Sequence, residues 1–430
     1  MEQRIYDALG EKVLWEKLEN GLTVAVIPRP GFTRKLCYLA VDYGSVHRQY
    51  SMDGQTCIAP QGVAHYLEHK MFDMPGRDIT AEFAALGAVP NAFTSYDMTA
   101  YHFSCTENFE ASLRLLLEFV STAYFTAESV QKEQGIIGQE IDMNADTPET
   151  VVFEQLMQAM YRQHPIREPI LGTRESIAKI TPQVLEQCHR AFYCPGNMLL
   201  CVIGDVDAQL VADIARQLLP MHSTPAEAVR HWQEDMTCEQ AYVSSQMEVA
   251  MPMFQLGFKC EPAQRGEAAV RQEVVGDLAA EALFGESSEL YMRLYEEGVI
   301  DTSFGGGFET VEGMAMLTAA GDSDDPEAVR DAILRQAAVI AAQGIDEADF
   351  LRMKRSALGR RIRGLDSFDS TCFRLCAYHF SGFDYFCFPA VYRDVTSKEV
   401  QEFLNRVVTA QRMCLSVIEP GQEVLHVQSQ

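Results

Sequence analysis

Basic residues are scarce in this chain. Its 430 residues hold 35 Lys and Arg against 61 Asp and Glu, a formal net charge of −26. A nucleic-acid binder must neutralise phosphates with cationic side chains, so this balance excludes that class. It also argues against anionic membrane surfaces and suits cationic partners or substrates, or simply solubility. Long apolar runs are missing too, and without eighteen consecutive apolar residues nothing here predicts a membrane span. The opening Met1-Glu2-Gln3-Arg4-Ile5-Tyr6-Asp7 has no apolar stretch of the signal-peptide kind. These absences predict a cytoplasmic protein. Cysteine is present, 12 in all, but scattered, with Cys37, Cys201 and Cys414 inside apolar runs. That pattern fits reduced, buried thiols better than a disulfide framework. Cys372 and Cys376 have ligand-like spacing, yet their surroundings read as a packed helix.

Histidine is also sparse, at ten residues, which makes one stretch stand out: Gly62-Val63-Ala64-His65-Tyr66-Leu67-Glu68-His69-Lys70-Met71-Phe72. On an α-helix, His65 and His69 share a face and can grip one metal ion. Glu68, about 100° round from His69, can reach a water beside that ion. Two imidazoles and a carboxylate suit zinc, and the HxxEH order is the signature of inverted zinc peptidases. The flanking Val63, Ala64, Leu67, Met71 and Phe72 predict a buried helix.

The chain is too long for one ordinary core. Strand-like runs cover 13–18, 22–28 and 36–42, with Asn20-Gly21 as a hairpin signal between the first two. A helix capped near Asp78 ends at Gly87, and a stretch rich in β-formers runs from Asn91 to Ser104. Amphipathic helices follow over 107–124, 126–144 and 151–161. The segments Thr181 to Ile203 and Thr396 to Ile418 then match without a gap. Their corresponding positions stand 215 apart (396 and 181, 413 and 198, 418 and 203). In each, a threonine opens an amphipathic helix and a short apolar strand closes the unit. This predicts a duplicated α+β fold, mostly antiparallel sheets with helices on one face. The expected division is 1–220, a polar linker over 221–238, and 239–430. The second-half counterpart of the motif helix falls near Gly276 to Phe284 and contains no histidine.

Two histidines leave a catalytic zinc short of its usual three protein ligands. The candidate third ligand is Glu140, expected on an apolar helical face with Ile136, Ile137 and Ile141, where a lone carboxylate is costly. Glu133, two turns earlier, is placed to orient a ligand or a water. The competing reading is that both are surface carboxylates of an acidic protein. The stretch Asn91-Ala92-Phe93-Thr94 offers an edge strand against which a peptide can lie extended, or else ordinary sheet core.

The HxxEH helix, the Asn-Ala-x-Thr strand and Glu133-x6-Glu140 together resemble the insulinase/pitrilysin (M16) zinc metallopeptidases, most of all short bacterial members of the YmfH type. The likeness extends to Ile170-Leu171-Gly172-Thr173 and Asn197-Met198-Leu199. It implies two homologous halves of the LuxS/MPP-like metallohydrolase fold and endopeptidase activity. It implies one zinc per chain on His65, His69 and Glu140, Glu68 as general base, and Glu133 assisting. One family element is absent. Active members carry an arginine and a tyrosine seven apart in the second half; here Tyr295 and Thr302 occupy those places. The resemblance therefore implies a heterodimer in which a homologous chain without HxxEH supplies that pair, with a homodimer as the other arrangement. It leaves open a catalytically silent structural, assembly or modification-pathway subunit that keeps the fold.

Overall fold

The Asn20–Gly21 turn joins strands Glu11–Lys17 and Thr23–Pro28, with Gly21 at φ 96° and Asn20 Oδ1 accepting from the Leu22 N–H at 3.1 Å. In the computed structural model, which describes residues 1–219 and 224–421, this hairpin belongs to a seven-stranded sheet. Its spatial order is Glu2–Tyr6, Glu11–Lys17, Thr23–Pro28, Met198–Gly204, Lys35–Val41, Thr99–Cys105 and Ala88–Thr94. All neighbours are antiparallel except Met198–Gly204 with Thr23–Pro28. The β-rich stretch from Asn91 to Ser104 thus spans the end of strand Ala88–Thr94, the turn and most of Thr99–Cys105, with Ala88–Thr94 at one edge of the sheet.

The second sheet has five strands, ordered Tyr242–Met247, Met413–Pro420, Met253–Cys260, Met314–Asp322 and Gly305–Val311. Its one parallel pair is Tyr242–Met247 with Met413–Pro420. This reproduces the last five strands of the first sheet, in the same order and with the same directions. Helix Ser397–Val407 starts 215 residues after helix Pro182–Phe192, and strand Met413–Pro420 starts 215 after Met198–Gly204. Thr181 and Thr396 cap the paired helices alike, each accepting a backbone N–H three residues on at 3.3 Å. The duplication inferred from sequence is therefore a duplication of topology. Part of the expected linker, 221–223, and the last nine residues, 422–430, lie outside the described residues. Beyond residue 224 the chain pairs Glu227–Ala228 with Tyr50 and Ser51 of the first half.

Each half lays its own helices on one face of its sheet. The opposite faces are covered by exchange. Helix Pro148–Met160 packs on the second sheet, and helix Phe368–Phe380 packs on strands Met198–Gly204 and Lys35–Val41 of the first. The exchange is symmetric down to matched residues. Ser416 donates from its strand to the Val152 carbonyl at 2.7 Å and accepts from Gln155 Nε2 at 2.8 Å. Cys201, at the equivalent strand position, meets Cys372 at 3.6 Å between sulfurs. Cys372 and Cys376 are wholly buried, as the packed-helix reading requires. Among the described residues no helix is long and apolar enough to cross a membrane.

Candidate metal centre

The motif forms helix Val63–Met71, and burial reaches almost every residue of it. Gly62 opens it at φ 84°, a left-handed conformation suited to glycine. A Cβ there would collide with the Leu171 carbonyl, so the loop containing Ile170 to Thr173 presses directly on the start of the motif helix. Tyr66 ties the helix to its neighbour by donating to the Val130 carbonyl at the start of helix Ala127–Ala145.

These contacts aim His65 and His69 at the long helix. His69 Nδ1 lies 2.9 Å from Glu133 Oε1, and His69 Nε2 lies 3.7 Å from Glu140 Oε2. His65 Nε2 lies 3.6 Å from the other Glu140 oxygen. The ligand atoms of His65, His69 and Glu140 all fall within 4.8 Å of one another. Separations near 3.6 Å are too long for hydrogen bonds, whereas two atoms bound tetrahedrally to one zinc at about 2.1 Å stand roughly 3.4 Å apart. The donor set fits zinc. Glu133 accepting from Nδ1–H of His69 fixes the tautomer that leaves Nε2 free to bind.

The charges are arranged to match. Burial and neighbouring His69 hold the His65 imidazolium down to about 3, keeping that ring neutral. For His69, burial opposes the charge, but the Glu133 hydrogen bond and the Glu133, Glu68 and Glu140 carboxylates outweigh it and raise the pKa. Glu68 is 8% exposed, and burial, aided by Glu140, raises its carboxyl above the usual range. A hydrogen bond from Thr94 Oγ1 to Glu68 Oε2 at 2.6 Å opposes that rise and fixes one carboxylate oxygen.

Glu140 converges on the histidines for a reason other than the one expected. Its helix face is not an apolar wall: Ile136 is 45% exposed and the Glu140 side chain 39%. Only Ile137 is buried outright. Glu140 is therefore held where it is partly open to solvent. Among the described residues Asn91 to Thr94 lie on the edge of the first sheet, paired only with Thr99–Cys105. Their side chains are largely committed elsewhere. Phe93 packs on Phe373 at 5.6 Å, Thr94 holds Glu68, and Asn91 Oδ1 accepts from the Ala92 N–H. The Asn-Ala-x-Thr pattern was the available signal for Thr94 as partner of the buried glutamate. Tyr295 is exposed on helix Glu289–Glu296, stacked at 5.9 Å on Tyr291, and Thr302 is exposed in the following turn.

A second convergence of possible ligands, Asp42, His47 and Glu312, is closed by Arg230, which donates to Asp42 at 2.9 Å and to Glu312. That guanidinium takes the place a cation would need.

A duplicated sandwich with an HxxEH helix facing a glutamate on the next long helix defines an inverted zinc-peptidase class. The chain belongs to the insulinase family (peptidase family M16): the family's sequence model matches residues 37–174, and that of the peptidase M16 inactive domain matches 179–357. It is 33% identical to the zinc protease YmfH of Bacillus subtilis over 96% of this chain and 98% of that protein. An M16-like peptidase from Alicyclobacillus acidocaldarius superposes with a TM-score of 0.92 at 31% identity, over 97% of this chain and 100% of that one. A protease from Helicobacter pylori shares the fold with a TM-score of 0.82 at 19% identity, over 95% and 100%. Membership in this family of zinc proteases implies zinc as the metal.

Proposed function

We propose that this chain is a zinc-dependent endopeptidase, the catalytic subunit of a heterodimer. The observation that carries the reading is the convergence of His65, His69 and Glu140 within 4.8 Å beside a buried Glu68. These three residues would hold one zinc per chain, and zinc there would supply Lewis-acid polarisation and lower the pKa of water. Glu68, kept less acidic by burial, takes a proton from the attacking water and delivers it to the leaving amine. Thr94 confines one oxygen of Glu68, so the other does the transfer. Glu133 holds His69 in register. The peptide lies extended along the free edge of Ala88–Thr94, read mainly through backbone hydrogen bonds because Phe93 and Thr94 are occupied.

Absence of an arginine–tyrosine pair at Tyr295 and Thr302 supports a partner that supplies substrate-holding groups, a homologous subunit without the motif. Burial of most of the cysteines in the apolar cores supports a reducing, cytoplasmic setting. The test is cleavage of an extended peptide by the chain alone and by the chain with such a homologue, using Glu68→Gln as control. Cleavage by the pair, lost in Glu68→Gln, is expected. Cleavage unaffected by that substitution overturns the mechanism, and full-rate cleavage by the chain alone overturns the partnership.

A further inference from the structure

The two helices exchanged between the halves are held in different ways. Helix Pro148–Met160 is tied to the second sheet by a polar clasp. Besides the Ser416 bonds, Gln155 donates to the Val417 carbonyl at 3.1 Å and accepts from Ser245 at 3.0 Å. Helix Phe368–Phe380 meets the first sheet through sulfur. Cys201, on the central strand Met198–Gly204, faces Cys372 at 3.6 Å. Cys376, one helical turn further on, also stands within hydrogen-bond reach of Cys201. All three are wholly buried in the apolar cluster that spans both halves, and none takes part in the proposed hydrolysis.

The surroundings favour a disulfide over a metal at these sulfurs. A metal on two or three thiolates leaves net negative charge in an apolar layer, which is costly, whereas a disulfide is neutral. Hydrogen bonds from Cys372 and Cys376 hold the Cys201 thiol below its usual range against the opposing effect of burial, so Cys201 is the first of the three to react. A disulfide needs its sulfurs at about 2.05 Å, so the 3.6 Å pair must close by roughly 1.5 Å. The strand is fixed between Thr23–Pro28 and Lys35–Val41, which leaves the motion to the helix. Space for it exists. Arg374 lies two residues after Cys372, about 200° round the helix. With Ser370 it lines a cavity of about 740 Å³ shared with Asp277, Glu281 and Arg360. The helix is thus backed by open volume on the side away from its thiols, and local undocking admits a small oxidant.

We propose that Cys201 and Cys372 form a reversible disulfide that locks helix Phe368–Phe380 of the second half onto the sheet of the first when the chain meets hydrogen peroxide. Cys201 attacks one peroxide oxygen: an S–O bond forms, the O–O bond breaks, and the thiol proton leaves with the other oxygen as water. Cys372 then attacks that sulfur: an S–S bond forms, the S–O bond breaks, and the Cys372 proton leaves with the hydroxyl as a second water. Two thiols lose two electrons and the peroxide gains them. A small dithiol reverses the cross-link by exchange. The pair is separate from His65, His69 and Glu140 and stands whether or not the metal reading holds.

The test treats the folded, reduced full chain with hydrogen peroxide, blocks the remaining thiols and digests with trypsin without reduction. Cleavage after Arg374 separates Cys372 from Cys376, so mass spectrometry distinguishes their pairings. Expected are a Cys201–Cys372 cross-linked peptide, its loss with dithiothreitol, and a Tm higher by about 5 °C or more in the oxidised chain. Cys376→Ala should behave likewise, while Cys201→Ala and Cys372→Ala should gain nothing in Tm on oxidation. Exposed Cys387 shows that oxidant reached the protein. Free thiols at Cys201 and Cys372 once Cys387 is oxidised, a Cys201–Cys376 pairing, or a cross-link formed only in denaturant overturns the proposal.

Discussion

Thr94 Oγ1 donates to Glu68 Oε2 at 2.6 Å, from a strand residue 26 positions further along the chain. The same hydroxyl lies 3.4 Å from Thr99 Oγ1, which itself donates to the Tyr43 carbonyl at 2.8 Å. Thr99 has spent its proton on Tyr43, and the Glu68 carboxylate is an acceptor, so the one Thr94 proton goes to Glu68. A buried base is thereby held in one rotamer by the strand along which substrate is proposed to lie.

Replacing Thr94 with valine keeps the shape and removes that donor. In the assembled peptidase we expect kcat to fall about tenfold or more with KM nearly unchanged, and Thr94→Ser to recover most of the rate. Zinc content should not change. A matching rise in KM would instead assign Thr94 to substrate binding.

Metal stoichiometry separates the ligands from their support. His65→Ala and Glu140→Ala should lose stoichiometric zinc in the purified chain, measured by elemental analysis. Glu133→Gln should retain the metal but bind it about 10–100-fold more weakly in a chelator competition, because His69 loses its acceptor. Glu68→Gln should bind zinc as the parent does.

Gly62 reads as a structural requirement of the motif helix. Its φ of 84° strains any other residue, and the Leu171 carbonyl occupies the space of a side chain. Gly62→Ala should lower stability by about 1–3 kcal/mol in urea unfolding and weaken zinc binding, since the helix must shift to make room. Gly87, also left-handed at φ 71° but with open space around it, should tolerate alanine at a smaller penalty.

Asp277 gives a pH signature outside the metal centre. Its folded pKa of about 7 lies above the ordinary 3.8, so the group favours the folded state when protonated, and that contribution is lost as pH rises from about 4 through 7. The facing groups are Glu273, which adds to the rise, and Arg361, Arg374 and Arg360, which oppose it. Asp277→Asn should therefore raise Tm relative to the parent at pH 8, with the difference shrinking as pH falls toward 4. An equal difference at both ends would show that ionisation is not involved.

The sequence by itself determined the elements that depend on local pattern. Helical spacing put His65 and His69 on one face, and the 215-residue offset announced a repeated helix–strand unit because both copies keep the same cap and apolar run. Neither depends on where the chain goes next. Glu140 was legible only with the family resemblance beside it. The burial argument for it failed, since Ile136 faces solvent and the Glu140 side chain is itself 39% exposed. What the tertiary structure decided were relations between distant segments. Phe368–Phe380 covers the first sheet while Pro148–Met160 covers the second, because each sheet leaves an apolar face that its own helices do not reach. Thr94 serves Glu68 because the sheet edge runs past the motif helix. The second half gathers Asp277, Glu281 and Arg360 around a charged cavity because the fold that gathers two histidines and a glutamate gathers whatever occupies the equivalent positions. A sequence carries the chemistry of each position, and only packing shows which positions meet.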